Sequence, residues 1–135
     1  MAEARTLAEA IIRALDSKRA QKIELLQVGD ITILADYFIL CTATSTTQIR
    51  TLSDICEEAA EKLGEEIHHK EGERESGWVL LDFSTVVVHI FLPEQREFYG
   101  LEHLWSDGEM VDISGLLETD RAERREALRN GHALD

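Results

Sequence analysis

The 135-residue sequence contains no long apolar run and only two cysteines. A membrane-spanning helix needs about 18 consecutive apolar residues, so no such helix is expected. The opening segment MAEARTLAEA carries acidic residues and lacks a basic region followed by an apolar stretch, and we expect neither a secretory signal nor a transit peptide. Cys41 and Cys56 lie in apolar segments and match no metal or redox spacing. Two buried thiols in a reducing cytoplasm are therefore predicted.

Glycine-rich loops and catalytic motifs are also missing. The eight glycines are scattered singly, so a phosphate loop, a dinucleotide-binding turn and a nucleophile elbow are all excluded. His68 and His69 would point to opposite faces of a strand and make a poor chelating pair. His89 lies in an apolar strand, where a hydrogen-bonded core histidine is expected. The sequence thus predicts no cofactor, no metal and no catalytic residue.

Positive charge is scarce as well. The chain has 14 Lys and Arg against 27 Asp and Glu, a net charge of −13. Binding to bare nucleic acid depends on cations that release counterions from phosphates, so little direct nucleic-acid contact is expected. The negative electrostatic field of such a chain favours docking on a basic protein surface. The alternative is that the acidic charge only maintains solubility.

Apolar periodicity predicts helices and strands in alternation. Two amphipathic helices each follow a capping box: Leu7–Lys18 behind Thr6 and Glu9, and a helix behind Ser45 and Gln48 that ends at Gly64. The strand-like segments are Lys22–Val28, Phe38–Cys41, a weak edge strand around Ile67, Trp78–Phe83 and Val86–Leu92. The short Ser84-Thr85 turn predicts an antiparallel hairpin, and the apolar run after it predicts a central strand covered on both faces.

The last third of the chain changes character. A third helix is predicted from Pro93, with Phe98, Leu101 and Trp105 on one stripe. GEMVDISGLL then suits a docking strand or a turn, and the charged stretch RAERREALRNGHALD suits a frayed helix or a disordered tail. We therefore predict an α/β (α+β-like) domain over residues 1–106, with a β-sheet flanked by helices, and a charged C-terminal extension over residues 107–135.

Four residues form a candidate protein-binding patch: Trp78, Asp82, Glu97 and Tyr99. Large aromatic rings with polar tips give contact area at low entropic cost, and a carboxylate can pair with Arg or Lys of a partner. Trp78 and Asp82 share strand parity, so they should emerge on one face, with Glu97 and Tyr99 nearby on the following helix. The alternative is that the aromatic rings belong to the core.

Several segments together resemble a known family. They are ADYFIL (35–40), TSTTQIR (44–50), GWVLLDF (77–83), VVVHIFLPEQREFY (86–99) and LEHLW (101–105). In this order they resemble the Iojap or ribosomal silencing factor family over roughly Leu7 to Trp105. The chain departs from the family pattern at Cys41–Thr44, where a glycine is usual, and at Thr85, where an acidic residue is usual.

The resemblance implies a mixed-sheet domain similar to the nucleotidyltransferase fold but without its catalytic carboxylates. It also implies a cytoplasmic translational repressor, not an enzyme, that binds the large ribosomal subunit. Family members bind the fourteenth protein of that subunit on the intersubunit face, obstruct the small subunit, and can form homodimers. Two alternatives stay open: an assembly adaptor on the same surface, or a nucleotidyltransferase-type enzyme, for which Asp30 and Asp36 are the only early acids near strand ends.

Overall fold

The computed structural model describes residues 3–29, 35–72, 76–95 and 109–129. Their elements follow in the order α1 (Ala4–Ser17), β1 (Gln21–Gln27), β2 (Tyr37–Thr42), α2 (Thr46–Lys62), β3 (His69–Glu71), β4 (Trp78–Asp82), β5 (Val86–Phe91), β6 (Glu109–Val111) and α3 (Ser114–Arg129). None of the helices in these ranges is long and apolar enough to cross a membrane.

The strands form one mixed sheet in the order β3-β4-β5-β2-β1-β6. β2 and β5 run parallel, and the other neighbouring pairs are antiparallel. β5 has a strand on each side and all six of its residues are buried. The predicted mixed sheet, the β4–β5 hairpin and the central strand are therefore confirmed.

Helices α1 and α2 cover one face of the sheet, because each carries a continuous apolar stripe. In α1, four large side chains are fully buried: Leu7, Ile11, Ile12 and Leu15. They join alternate residues of the central strands, such as Ile39, Val88 and Ile90, in the main core. We call this side of the sheet the helical face.

Of the two predicted capping boxes, only the one at the start of α2 is present. The prediction for α1 was wrong. The helix begins at Ala4, three residues before the predicted start, and Thr6 lies inside it. Glu9 instead accepts a hydrogen bond from Arg5 at 2.8 Å. The prediction for α2 is confirmed, since Ser45 Oγ accepts from the backbone N–H of Gln48 at 3.1 Å.

The predictions for the edge strand and for the last third of the chain were confirmed only in part. The edge strand lies at His69–Glu71, just after the predicted Ile67, and GEMVDISGLL supplies strand β6. Residues 121–129 of the charged stretch belong to helix α3, which begins at Ser114 and buries none of its residues. Residues 93–95 are helical, but the stripe of Phe98, Leu101 and Trp105 lies outside the described residues. The division of the chain at residue 106 stays a prediction.

Candidate functional site

The second face of the sheet carries its own apolar cluster, to which the described helices contribute no residue. Its buried members are Leu26, Val28, Ala35, Phe38, Leu40, Val87 and Phe91, with Trp78 and Leu80 packed against them. The strand period of two explains the separation, because alternate residues of β2, β4 and β5 point away from α1 and α2. We call this surface the aromatic face.

An aromatic stack runs across β4 and β5 on this face. Trp78 lies opposite Phe91 in the hairpin register. Their rings are parallel within 4° with centroids 5.8 Å apart, and the His89 ring lies 6.0 Å from Phe91 at 7°. Phe38 of β2 meets His89 at a tilted angle with centroids 5.2 Å apart. Such contacts hold the half-buried Trp78 ring in one orientation.

His89 is a buried, hydrogen-bonded histidine, as predicted. Trp78 Nε1–H donates to His89 Nδ1 at 3.4 Å, which assigns the hydrogen of the neutral ring to Nε2. That Nε2 is buried and has no hydrogen-bond partner among the described residues. Burial lowers the pKa of His89 from 6.5 to about 4, because the charged ring would lose its hydration. The ring is therefore neutral at pH 7.

Asp82 lies at the other end of β4 from Trp78. Both positions belong to the aromatic face, but they are four positions apart along the strand, a separation of roughly 13 Å. Asp82 Oδ1 accepts a hydrogen bond from the backbone N–H of Ser84 at 2.7 Å. Ser84 has a left-handed φ of 75°, so this bond stabilises a strained turn. The half-buried carboxylate thus has a structural role as well as its charge.

Comparison with known proteins assigns the chain to a family. A family model described as "Ribosomal silencing factor during starvation" matches residues 1–134. The chain belongs to this family of ribosomal silencing factors.

Individual relatives agree with this assignment. A ribosomal silencing factor of Halalkalibacterium halodurans is 33% identical over 111 residues, which cover 82% of this chain and 95% of that protein. The chloroplastic protein Iojap of Zea mays is 34% identical over 112 residues, covering 83% of this chain and 49% of that protein. A crystal structure of a Chromobacterium violaceum protein superimposes with a TM-score of 0.75 at 29% identity, covering 84% and 93% of the two chains.

The described residues include only two of the four residues of the predicted patch. The structure places Trp78 and Asp82 on one face, whereas Glu97 and Tyr99 lie outside the described residues, so their proximity stays a prediction. Sequence reasoning missed the contribution of His89 and Phe91 to the same face. The signal was available, since a tight hairpin pairs residue 78 with residue 91 and brings every second residue of β5 to the Trp78 side.

An enzyme of the nucleotidyltransferase type would need carboxylates that together hold a metal ion. In ranges 3–29, 35–72, 76–95 and 109–129, no three His, Cys, Asp or Glu side chains form a group that could hold a metal ion. Asp36 is exposed, and Asp30 lies outside these ranges. Cys41 and Cys56 are buried as predicted, and burial raises the pKa of the Cys56 thiol. A thiol with a raised pKa is a poor nucleophile at neutral pH.

Proposed function

We propose that the chain represses translation in the cytoplasm by binding the large ribosomal subunit through its fourteenth protein. Bound there, it blocks association with the small subunit sterically. Family membership supports the ribosomal target. The observation that carries the docking site is the half-buried Trp78 ring, held on a rigid stack on the face to which the described helices contribute nothing. The proposed contact residues are Trp78, Asp82, Glu97 and Tyr99.

The physical properties of the chain suit this role. A steric block works by occupancy, so it needs no reaction and no cofactor. The net charge of −13 attracts a basic ribosomal protein at long range and accelerates encounter. A preordered aromatic ring loses little conformational entropy on binding, which favours Trp78 as the central anchor. An assembly adaptor on the same surface would share the docking site but would leave subunit joining unaffected.

The charge of Asp82 can be separated from its role in the turn. Asp82→Asn keeps an oxygen that accepts from Ser84 N–H but removes the negative charge. Because the carboxylate is half-buried, we expect a loss of roughly 1 kcal/mol in docking, about a fivefold lower affinity for isolated large subunits. Co-sedimentation with large subunits across a salt series measures it. The wild-type affinity should fall as salt rises, and the variant should show a weaker salt dependence.

Asp54→Asn is the matched control, because it removes the same charge from an exposed position on α2. Both variants must keep the wild-type melting temperature. If Asp54→Asn weakens docking and Asp82→Asn does not, the contact lies on the acidic side of α2 and the aromatic face is the wrong surface.

A further inference from the structure

A cleft of about 420 Å³ lies between the end of α1 and helix α3, away from the aromatic face. Its charged lining consists of Lys18, Arg19, Arg121, Arg124, Arg125 and Asp16. Five of the 14 Lys and Arg of the chain therefore converge here, against a single lining carboxylate. The cleft is a local basic site on a strongly acidic protein.

A buried carboxylate organises two of these arginines. The Asp16 side chain is 4% exposed, and it accepts hydrogen bonds from Arg121 Nη2 at 2.7 Å and from Arg124 Nη2 at 2.6 Å. Burial acts to raise the pKa of Asp16, but the two guanidinium groups lower it further than burial raises it. Each guanidinium has five N–H donors. Arg124 also donates to Asp120 through Nη1, so both of its terminal nitrogens are engaged. Asp16 engages some of the Arg121 donors and thereby orients the others, and Arg121 remains half exposed.

The end of α1 keeps an arginine where a glycine would be favoured. Arg19 N–H donates to Asp16 O and Ala20 N–H to Leu15 O, the pattern in which a helix ends on a left-handed residue. Arg19 has φ 63°, a conformation that costs a non-glycine residue roughly 1–2 kcal/mol. Helix α2 ends with the same pattern but has Gly64 at that position, with φ 77°. Arg19 therefore places a cation beside the cleft in a backbone conformation that the surrounding turn has to maintain.

A side chain from a third element fixes this turn. Gln48 Nε2 donates to the carbonyl oxygen of Lys18 at 3.1 Å and to that of Arg19 at 3.4 Å. Gln48 also accepts from Thr44 through Oε1, so its amide is anchored at both ends. The backbone that carries the two cations into the cleft is therefore held in place before any ligand arrives.

We propose that this cleft binds the phosphodiester backbone of RNA. Guanidinium forks match the oxygens of a phosphate. Lys18, Arg19 and Arg125 form no ion pair with another residue of the described ranges. RNA is favoured over an acidic protein because a polyphosphate releases condensed counterions on binding, and this gain offsets repulsion from the net charge. Little nucleic-acid contact was expected from the composition, which cannot show that cations about a hundred residues apart converge.

We expect the cleft to bind RNA weakly by itself and to add a second contact when the chain is already docked on the large subunit. If the chain docks on the large subunit as proposed above, ribosomal RNA would reach the cleft at a high effective concentration. That role rests on the proposed function, whereas RNA binding by the free protein does not. An assay on the free protein therefore distinguishes failure of this inference from failure of the docking proposal.

Fluorescence anisotropy of a labelled oligouridylate with the full chain provides the test. With about three phosphates engaged, the logarithm of the affinity should fall against the logarithm of salt with a slope of about −2. Lys18→Ala/Arg125→Ala should lower the affinity roughly tenfold and bring the slope close to about −1. The matched control is Arg50→Ala/Lys70→Ala, which removes one Arg and one Lys beside a different cleft and should change the affinity less than about twofold.

Arg19→Gly separates binding from folding. Glycine suits the left-handed turn, so the melting temperature should stay unchanged or rise, while the affinity for the oligonucleotide falls roughly threefold. Three results would overturn the proposal: no binding by the wild-type protein at about 50 mM salt, an equal loss in the Arg50/Lys70 control, or equal displacement by polyglutamate, which would make an acidic protein the ligand.

Discussion

Trp78→Ala is expected to lower the affinity for isolated large subunits about 30-fold or more, a loss of about 2 kcal/mol. Trp78 is a half-buried aromatic side chain whose orientation is fixed by stacking on His89 and Phe91. An anchor of this kind combines a large contact area with a small entropic cost, so truncation removes the centre of the proposed contact. Co-sedimentation or surface-based binding to purified large subunits measures the change.

Leu80→Ala is the matched control for this variant. Leu80 lies on the same strand and in the same cluster and is also half-buried, but it lacks an aromatic ring. Both truncations remove apolar contacts, so both should lower the melting temperature. Only Trp78→Ala should greatly lower the affinity for the large subunit. Wild-type binding by a folded Trp78→Ala protein would show that the docking site lies elsewhere.

A large pH effect on stability is expected from His89. Its pKa is about 4 in the folded protein and 6.5 in the reference state, so between these values the unfolded chain binds a proton that the folded chain does not. Stability therefore falls as pH falls through this window, at about 1.4 kcal/mol per pH unit and by roughly 3 kcal/mol in all. Chemical denaturation at pH values from neutral to about 4 measures the free energy of unfolding.

His89→Gln should remove most of that slope, because glutamine does not titrate. The comparison concerns the slope with pH, so a constant destabilisation from the substitution does not disturb it. His68→Gln serves as the control, since His68 is exposed and should leave the wild-type slope in place. An identical slope in His89→Gln and wild type would mean that other groups cause the acid sensitivity.

Much of the fold could be predicted because its signals are local. The alternation of β4, the continuous apolar run of β5 and the short turn between them determine a hairpin beside a central strand. Ser45 and Gln48 mark the start of α2 through a bond between neighbours in sequence. The start of α1 was mispredicted because a second local interaction, the Arg5–Glu9 pair, competes for the same glutamate.

Features that depend on distant contacts could not be predicted. Helix α3 was predicted only as one of two alternatives, a frayed helix or a disordered tail, because it buries no residue and apolar periodicity gives no strong signal for it. Two of its arginines, Arg121 and Arg124, pair with Asp16, more than a hundred residues earlier in the chain. The basic cleft could not be predicted for the same reason, because its cations come from distant parts of the sequence. At the aromatic face, parity predicted the shared side of Trp78 and Asp82, but the bond from Ser84 to Asp82 depends on the φ of the turn.

The central claim is that the bound protein prevents subunit joining, and light scattering of purified subunits tests it most directly. Saturating wild-type protein, added to large subunits before small subunits, should lower both the rate and the final yield of joined ribosomes. Trp78→Ala at the same concentration should restore joining in proportion to its lost affinity. Unchanged association kinetics at saturating wild-type protein, with binding confirmed by co-sedimentation, would contradict a steric block and favour an adaptor on the large subunit.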